Sequence, residues 1–106
     1  MLYELRQYKV KSGKMKQWVK LAEEQIIPFQ VSCGMVVPGS FTAVKDNRLY
    51  IWLRRFRSEA ERVRLYKKVY ESDHWKKVLA PQIDRVLDRS SIVVTQMVPT
   101  AKSVLQ

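Results

Sequence analysis

The chain has 106 residues, 46% of them hydrophobic and 28% charged, and a formal charge of +10 from 20 Lys plus Arg against 10 Asp plus Glu. That balance fits one soluble globular domain and excludes disorder; no apolar run reaches the roughly eighteen residues of a membrane-spanning helix. A single cysteine, Cys33, excludes an intrachain disulfide and fits a reducing compartment, so a cytoplasmic protein is expected.

The chain opens on LYELRQYKV, residues 2 to 10, whose alternation reads as a strand with Glu4, Arg6 and Tyr8 on one face. No targeting segment precedes it. After Ser12-Gly13, the residues Met15, Trp18, Val19, Ala22, Ile26 and Phe29 form one stripe of an amphipathic helix that loosens near Pro28 and stops at Gly34. MVVPGSFTAV, residues 35 to 44, is a strand interrupted at Pro38-Gly39, which predicts a bulge or an edge position. Asp46-Asn47 turns the chain into LYIWLRRF, and the two strands read as a hairpin.

Ser58-Glu59-Ala60-Glu61 is a capping box, so a helix starts at residue 59, with Val63, Tyr66 and Tyr70 on its apolar side. Ser72-Asp73 recaps a segment carrying Trp75, Val78 and Leu79, and Pro81 opens a further one with Ile83, Val86 and Leu87. SIVVTQMV, residues 91 to 98, is the last strand, and a tail follows from about residue 100. The order is β-α-β-β-α-β: an α+β, ferredoxin-like domain over residues 1–100 with a four-stranded antiparallel sheet, and a tail at 101–106.

The phase of the third strand decides what the sheet presents. With Leu49, Ile51 and Leu53 set against the helices, Tyr50, Trp52, Arg54 and Phe56 point away, joined by Glu4, Arg6 and Tyr8. An uncovered face of that kind marks an interface or a ligand site. A domain this small also gains from burying it, so a homodimer or higher homo-oligomer is expected. Glu4 with an arginine forms a pair that such burial requires.

Other chemistries are poorly supported by the residues. RNA-recognition domains share the element order and stack bases on aromatic strands, but RLYIWLRRF has no glycine where their signature needs it, so nucleic-acid binding is the lesser alternative. His74 is the only histidine, which leaves no His-based metal site and no catalytic triad; it reads as a surface residue beside a cap, and Cys33 as a buried, inert thiol. No catalytic residue stands out. The basic excess attracts anions in general, and most of it is read as solvated helix surface.

The stretches YELRQYKVKSGKMKQWVKL, YIWLRRFRSEAERVRLYKKVYESDHWK and IVVTQMVPT together resemble the NIPSNAP family over residues 2 to about 100. The resemblance implies the dimeric α+β barrel superfamily, in which two ferredoxin-like subunits press their open sheet faces together. On that reading Tyr50, Trp52 and Phe56 form the dimer interface. A cavity at the sheet face, lined by Glu4, Arg6, Tyr8, Trp52 and Arg54, binds a small anionic or aromatic molecule that the arginines orient. No agreed activity comes with the family. The wider superfamily includes cofactor-independent monooxygenases, which makes an oxygenase-like enzyme acting on an aromatic substrate the main alternative. It also includes haem-degrading enzymes that use a histidine in the second helical region. Lys77 to Gln82 contain no histidine, so no cofactor and no metal are expected.

Overall fold

The computed structural model describes residues 1–106. Its strands are β1 (Leu2–Val10), β2 (Val36–Thr42), β3 (Leu49–Phe56) and β4 (Leu87–Met97), and they form one antiparallel sheet in the order β2-β3-β1-β4. Two helical arms connect them and lie on one side of the sheet, which is the ferredoxin-like α+β arrangement. The first arm is α1 (Met15–Leu21), a π-helical turn (Ala22–Ile26) and α2 (Ile27–Ser32). The second is α3 (Glu59–Tyr70), a π-helical turn (His74–Leu79) and α4 (Ala80–Val86).

Local chemistry accounts for the boundaries. The Glu61 backbone N–H donates to the Ser58 hydroxyl at 3.1 Å, and the Glu61 carboxylate takes the Arg57 N–H at 3.0 Å, one residue earlier than an ideal capping box. Trp75 N–H donates to the Ser72 hydroxyl at 3.1 Å, which starts the following segment. Gly34 ends the first arm at φ +112, a conformation closed to most side chains. Register shifts between Val36 and Gly39, where Pro38 interrupts the ladder.

Pro28 does not end the first arm. A proline within a helix removes one N–H and crowds the carbonyl four residues back. Here the turn ahead of it is widened: the Ile27 N–H reaches the Ala22 carbonyl, five residues back. The second arm repeats the device, with the Ala80 N–H on the Trp75 carbonyl just before Pro81.

The phase of β3 is the reverse of the sequence expectation. Tyr50, Trp52, Arg54 and Phe56 are 1%, 2%, 0% and 1% exposed within the single chain and face the helices, whereas Leu49, Ile51 and Leu53 lie on the outer side. Tyr50 and Trp52 pack with Trp18, Ile26, Leu79 and Ile83, and Phe56 packs with Leu65 and Val69. Tyr50, Trp52 and Phe56 are therefore core and offer no surface to a second chain. The physical reason is volume and polarity together: large aromatics fill the space under two helical arms, and the charges among them are paired.

Two further differences sit at the C-terminal end. β4 starts at Leu87, four residues before the expected strand, and its pairing with β1 is broken between Gln7 and Lys9, where Arg89 to Ile92 are looped out as a bulge. The residues after β4 fold back over the outer face, with the Tyr3 hydroxyl donating to the Gln106 carbonyl at 2.8 Å. No helix is long and apolar enough to cross a membrane.

Candidate functional site

Strand register brings the sequence candidates together on the inner face. Glu4 stands directly opposite Arg54, Arg6 opposite Trp52, and Tyr8 opposite Tyr50. Glu4, Arg6 and Arg54 are 1%, 9% and 0% exposed, so three charges are buried within a short span of sheet.

Their contacts make that burial tolerable. Arg54 Nε and Nη2 both donate to Glu4 Oε1, at 3.0 and 2.7 Å, and Arg6 Nη1 reaches the same oxygen at 3.5 Å. Glu4 Oε2 takes the Tyr66 hydroxyl. Arg54 Nη1 donates to Gln30 Oε1 at 3.1 Å and to the Tyr70 hydroxyl at 2.7 Å, and Arg54 Nη2 donates to the Tyr66 hydroxyl at 2.7 Å. The guanidinium also lies 5.3 Å from the Trp52 ring, 4.9 Å from Tyr66 and 5.8 Å from both Phe56 and Tyr70. Arg6 Nε donates to the Tyr8 hydroxyl at 2.8 Å.

The electrostatics follow from these contacts. Burial alone pushes the Glu4 carboxyl up, but the Arg54 charge, hydrogen bonds from Tyr66 and Arg54, and the Arg6 charge more than offset it, and the net direction is down. Burial pushes Tyr8 up, and the Arg6 charge only partly opposes it, so the phenol stays protonated at neutral pH. Burial likewise pushes Tyr66 up against the pull of Arg54.

Beside this network the helices stand off from the sheet and leave a cavity of about 120 Å³. Arg6, Tyr8 and Trp52 form its floor, α2 supplies Gln30, the second arm supplies Tyr70 and Trp75, and the β4 bulge brings Arg89 and Ile92 to its rim. Trp18 completes the set, so all three tryptophans of the chain line one cavity. Glu4 and Arg54 lie behind the wall and hold its polar members in place. Three donors on lining residues have no acceptor in the protein: Trp18 Nε1, Gln30 Nε2 and Trp52 Nε1. Buried N–H groups in folded proteins are rarely left this way.

Gln30, Tyr66, Tyr70, Trp18 and Trp75 complete a site of which the sequence reading named only the strand half. Gln30 carried a signal: it lies four residues after Ile26, on the stripe that faces the sheet, where a polar residue needs a partner. Tyr66 and Tyr70 lie four apart, which puts both hydroxyls on one helix face. His74 is not in the site; it is exposed and its ring rests against Phe29 at 4.7 Å. Cys33 is a buried free thiol away from the cavity lining. No group of three or more His, Cys, Asp or Glu side chains could hold a metal ion.

A family model described as NIPSNAP matches residues 3–102. The fold is similar to that of a NIPSNAP family protein from Agrobacterium tumefaciens str. C58, at TM-score 0.87 and 24% identity over 99% of this chain and 98% of that one. An uncharacterized NIPSNAP domain protein from Burkholderia xenovorans is similar at TM-score 0.85 and 17% identity, covering 97% and 98% of the two chains. An antibiotic biosynthesis monooxygenase is similar at TM-score 0.68 and 17% identity, covering 94% and 99%. No curated protein matches the sequence.

Proposed function

The chain belongs to the NIPSNAP family, and on that premise we propose that it binds a small molecule of about one ring in size in the cavity between its sheet and its helices. The observation that carries this reading is the concentration of aromatic rings, and of residues with unpartnered donors, around one hollow. An apolar cavity of about 150 Å³ accommodates benzene, so a space of about 120 Å³ is of the order of a single small ring. Convergent polar groups on an otherwise aromatic wall are the usual form of a small-molecule site.

The tryptophans supply the test. Saturable change in intrinsic fluorescence on titration with single-ring compounds is the expected result, lost in Ile92→Trp, which fills the cavity from its partly exposed rim. A panel of single-ring compounds that gives no saturable change, or binding that Ile92→Trp leaves intact, removes the cavity from the function.

The partner in assembly is a second copy. Beyond the part that the C-terminal residues cover next to Leu53, the half-buried Leu49 and Ile51 with Phe41, which is 55% exposed, give the outer sheet face an apolar surface. Such a face is costly to leave in water, and a homodimer through it is the economical solution. Light scattering behind a sizing column is expected to give twice the chain mass, and Ile51→Glu to halve it. A buried free Cys33 is compatible with the cytoplasm.

An oxygenase-like activity on an aromatic substrate is the second reading, favoured by the likeness to the antibiotic biosynthesis monooxygenase together with an aromatic-lined cavity. Oxygen uptake with hydroquinone-type phenols and no added cofactor tests it. Uptake at the protein-free rate leaves binding alone.

A further inference from the structure

The charges around the cavity do not balance. Glu4 is the one carboxylate in the buried network, and it faces two buried guanidiniums, Arg54 and Arg6. Arg62 approaches Glu4 at 3.8 Å but is held by Glu59 at 2.6 Å, and Arg89 on the rim is held by Asp84 at 2.6 Å. No Asp or Glu lines the cavity itself. The buried set therefore carries one excess positive charge, and an unbalanced charge out of water is costly.

The hydrogen-bonding groups are one-sided in the same sense. Every acceptor near the wall is already engaged: Glu4 Oε1 by Arg54 and Arg6, Glu4 Oε2 by Tyr66, and Gln30 Oε1 by Arg54. The groups still unengaged on the lining residues are all donors: the Trp18 and Trp52 indole N–H groups and the Gln30 amide N–H, each buried within the wall. The Tyr8 and Tyr70 oxygens receive arginine N–H groups, so each phenol keeps its own proton to give. A ligand with donors of its own has nothing to bond to here. A neutral hydrocarbon leaves every one of these donors unmet.

We infer that the ligand of this cavity is a small monoanion offering only acceptors, a carboxylate or phenolate borne on at most one ring. The anion oxygens lie toward Arg6 and the unmet donors, and the ring lies among the tryptophans. This rests on the small-molecule reading above and adds the chemical class.

The experiment uses the whole chain and two matched pairs of probes, 2-furoate with furfuryl alcohol and benzoate with benzyl alcohol, plus benzamidine as a cation. Intrinsic fluorescence and calorimetry read the affinities at neutral pH. The carboxylates should bind at least about tenfold more tightly than their alcohols, the scale of one charge-assisted bond, and benzamidine should not compete. Trp52→Phe keeps an aromatic ring and removes the indole N–H together with the pyrrole ring; it should weaken the carboxylates about fivefold more than the alcohols. Arg6→Gln should erase the preference for the anion, and Trp52→Phe supplies the test if Arg6→Gln does not fold. Alcohols that bind as tightly as carboxylates overturn the inference while the cavity reading stands. No binding by any probe overturns both. Carboxylate binding unchanged in both variants puts the anion on the basic surface and also overturns the inference.

Discussion

Glu4→Gln is the most informative single substitution, because it removes one charge and almost no volume. The native carboxylate receives two N–H groups of Arg54, at 3.0 and 2.7 Å, one of Arg6 and the Tyr66 hydroxyl. The amide keeps one acceptor oxygen, turns the other position into a donor facing Tyr66, and leaves Arg54 and Arg6 without a counter-charge. Breaking a buried pair from one side costs about 3–5 kcal/mol. A domain of this size has about 5–15 kcal/mol of stability in all, so the variant should lose a large share of it and melt more than about ten degrees lower. Urea unfolding followed by tryptophan fluorescence measures the loss. Arg54→Met should cost a similar amount, and the double variant less than the sum by at least about 2 kcal/mol, since the second change removes a charge the first has stranded. A loss below about 1 kcal/mol for Glu4→Gln, or additive losses, would refute the account of the pair as one buried unit.

Three further outcomes follow from the same geometry. Because the folded-state pKa of Glu4 lies below its ordinary value of 4.5, its contribution is complete above that value and disappears as pH falls through the lower one; the gap in stability between the native chain and Glu4→Gln should therefore narrow in acid, as read by urea midpoints from pH 7 downward. Burial pushes Tyr50 up to about 12, against the Ser40 hydrogen bond and with small additions from the Tyr8 and Glu23 charges, so the stability gained by keeping it protonated is full below its ordinary 10.0 and is lost as pH rises toward 12; absorbance titration of the native chain against Tyr50→Phe should lack one late-ionising phenol in the variant. Gly34→Ala meets both a φ of +112 and a Leu65 methyl at 3.3 Å, whereas Gly13→Ala at φ +74 meets nothing within 4 Å; the first should cost about 2–3 kcal/mol and the second about 1, and equal costs by urea unfolding would show that the Leu65 contact yields freely.

Element order was legible in the sequence wherever one residue type has one structural use. Ser58 with Glu61, Ser72 ahead of Trp75, Gly34 at a left-handed stop and Pro38-Gly39 at a break in the ladder each carry a backbone requirement in their chemistry. The phase of β3 was not, because Leu49, Ile51 and Leu53 are purely apolar while the alternate set includes Arg54 and the Tyr50 hydroxyl, and a shift of one residue exchanges the faces. What polarity alone misses is that a paired arginine ringed by aromatics is a core residue. The grouping of Glu4, Arg6 and Tyr8 with Trp52 and Arg54 survives that inversion, since it depends only on both strands keeping period two and on their register. The helical half of the site was legible only in part: the spacing marks Gln30, Tyr66 and Tyr70 as polar groups on inward faces, but which groups they bond to is set by the strand register. The Arg89 to Ile92 bulge rests on pairing with β1, which no local pattern announces.

The widened turns ahead of Pro28 and Pro81 have a bearing on how the chain tolerates changes of length. Each α-helical residue advances the side chains by about 100°. Dropping one residue from Ala22–Ile26 would let the backbone close into ordinary α geometry with the phase beyond it kept, so Gln30 would stay against Arg54 and the cavity. The same holds for His74–Leu79 and the Ile83 that follows it. A deletion in the regular α-helical turns has no such slack and would swing the side chains beyond it by about 100°, so the cavity is written into these arms as a count of residues as much as in their identities.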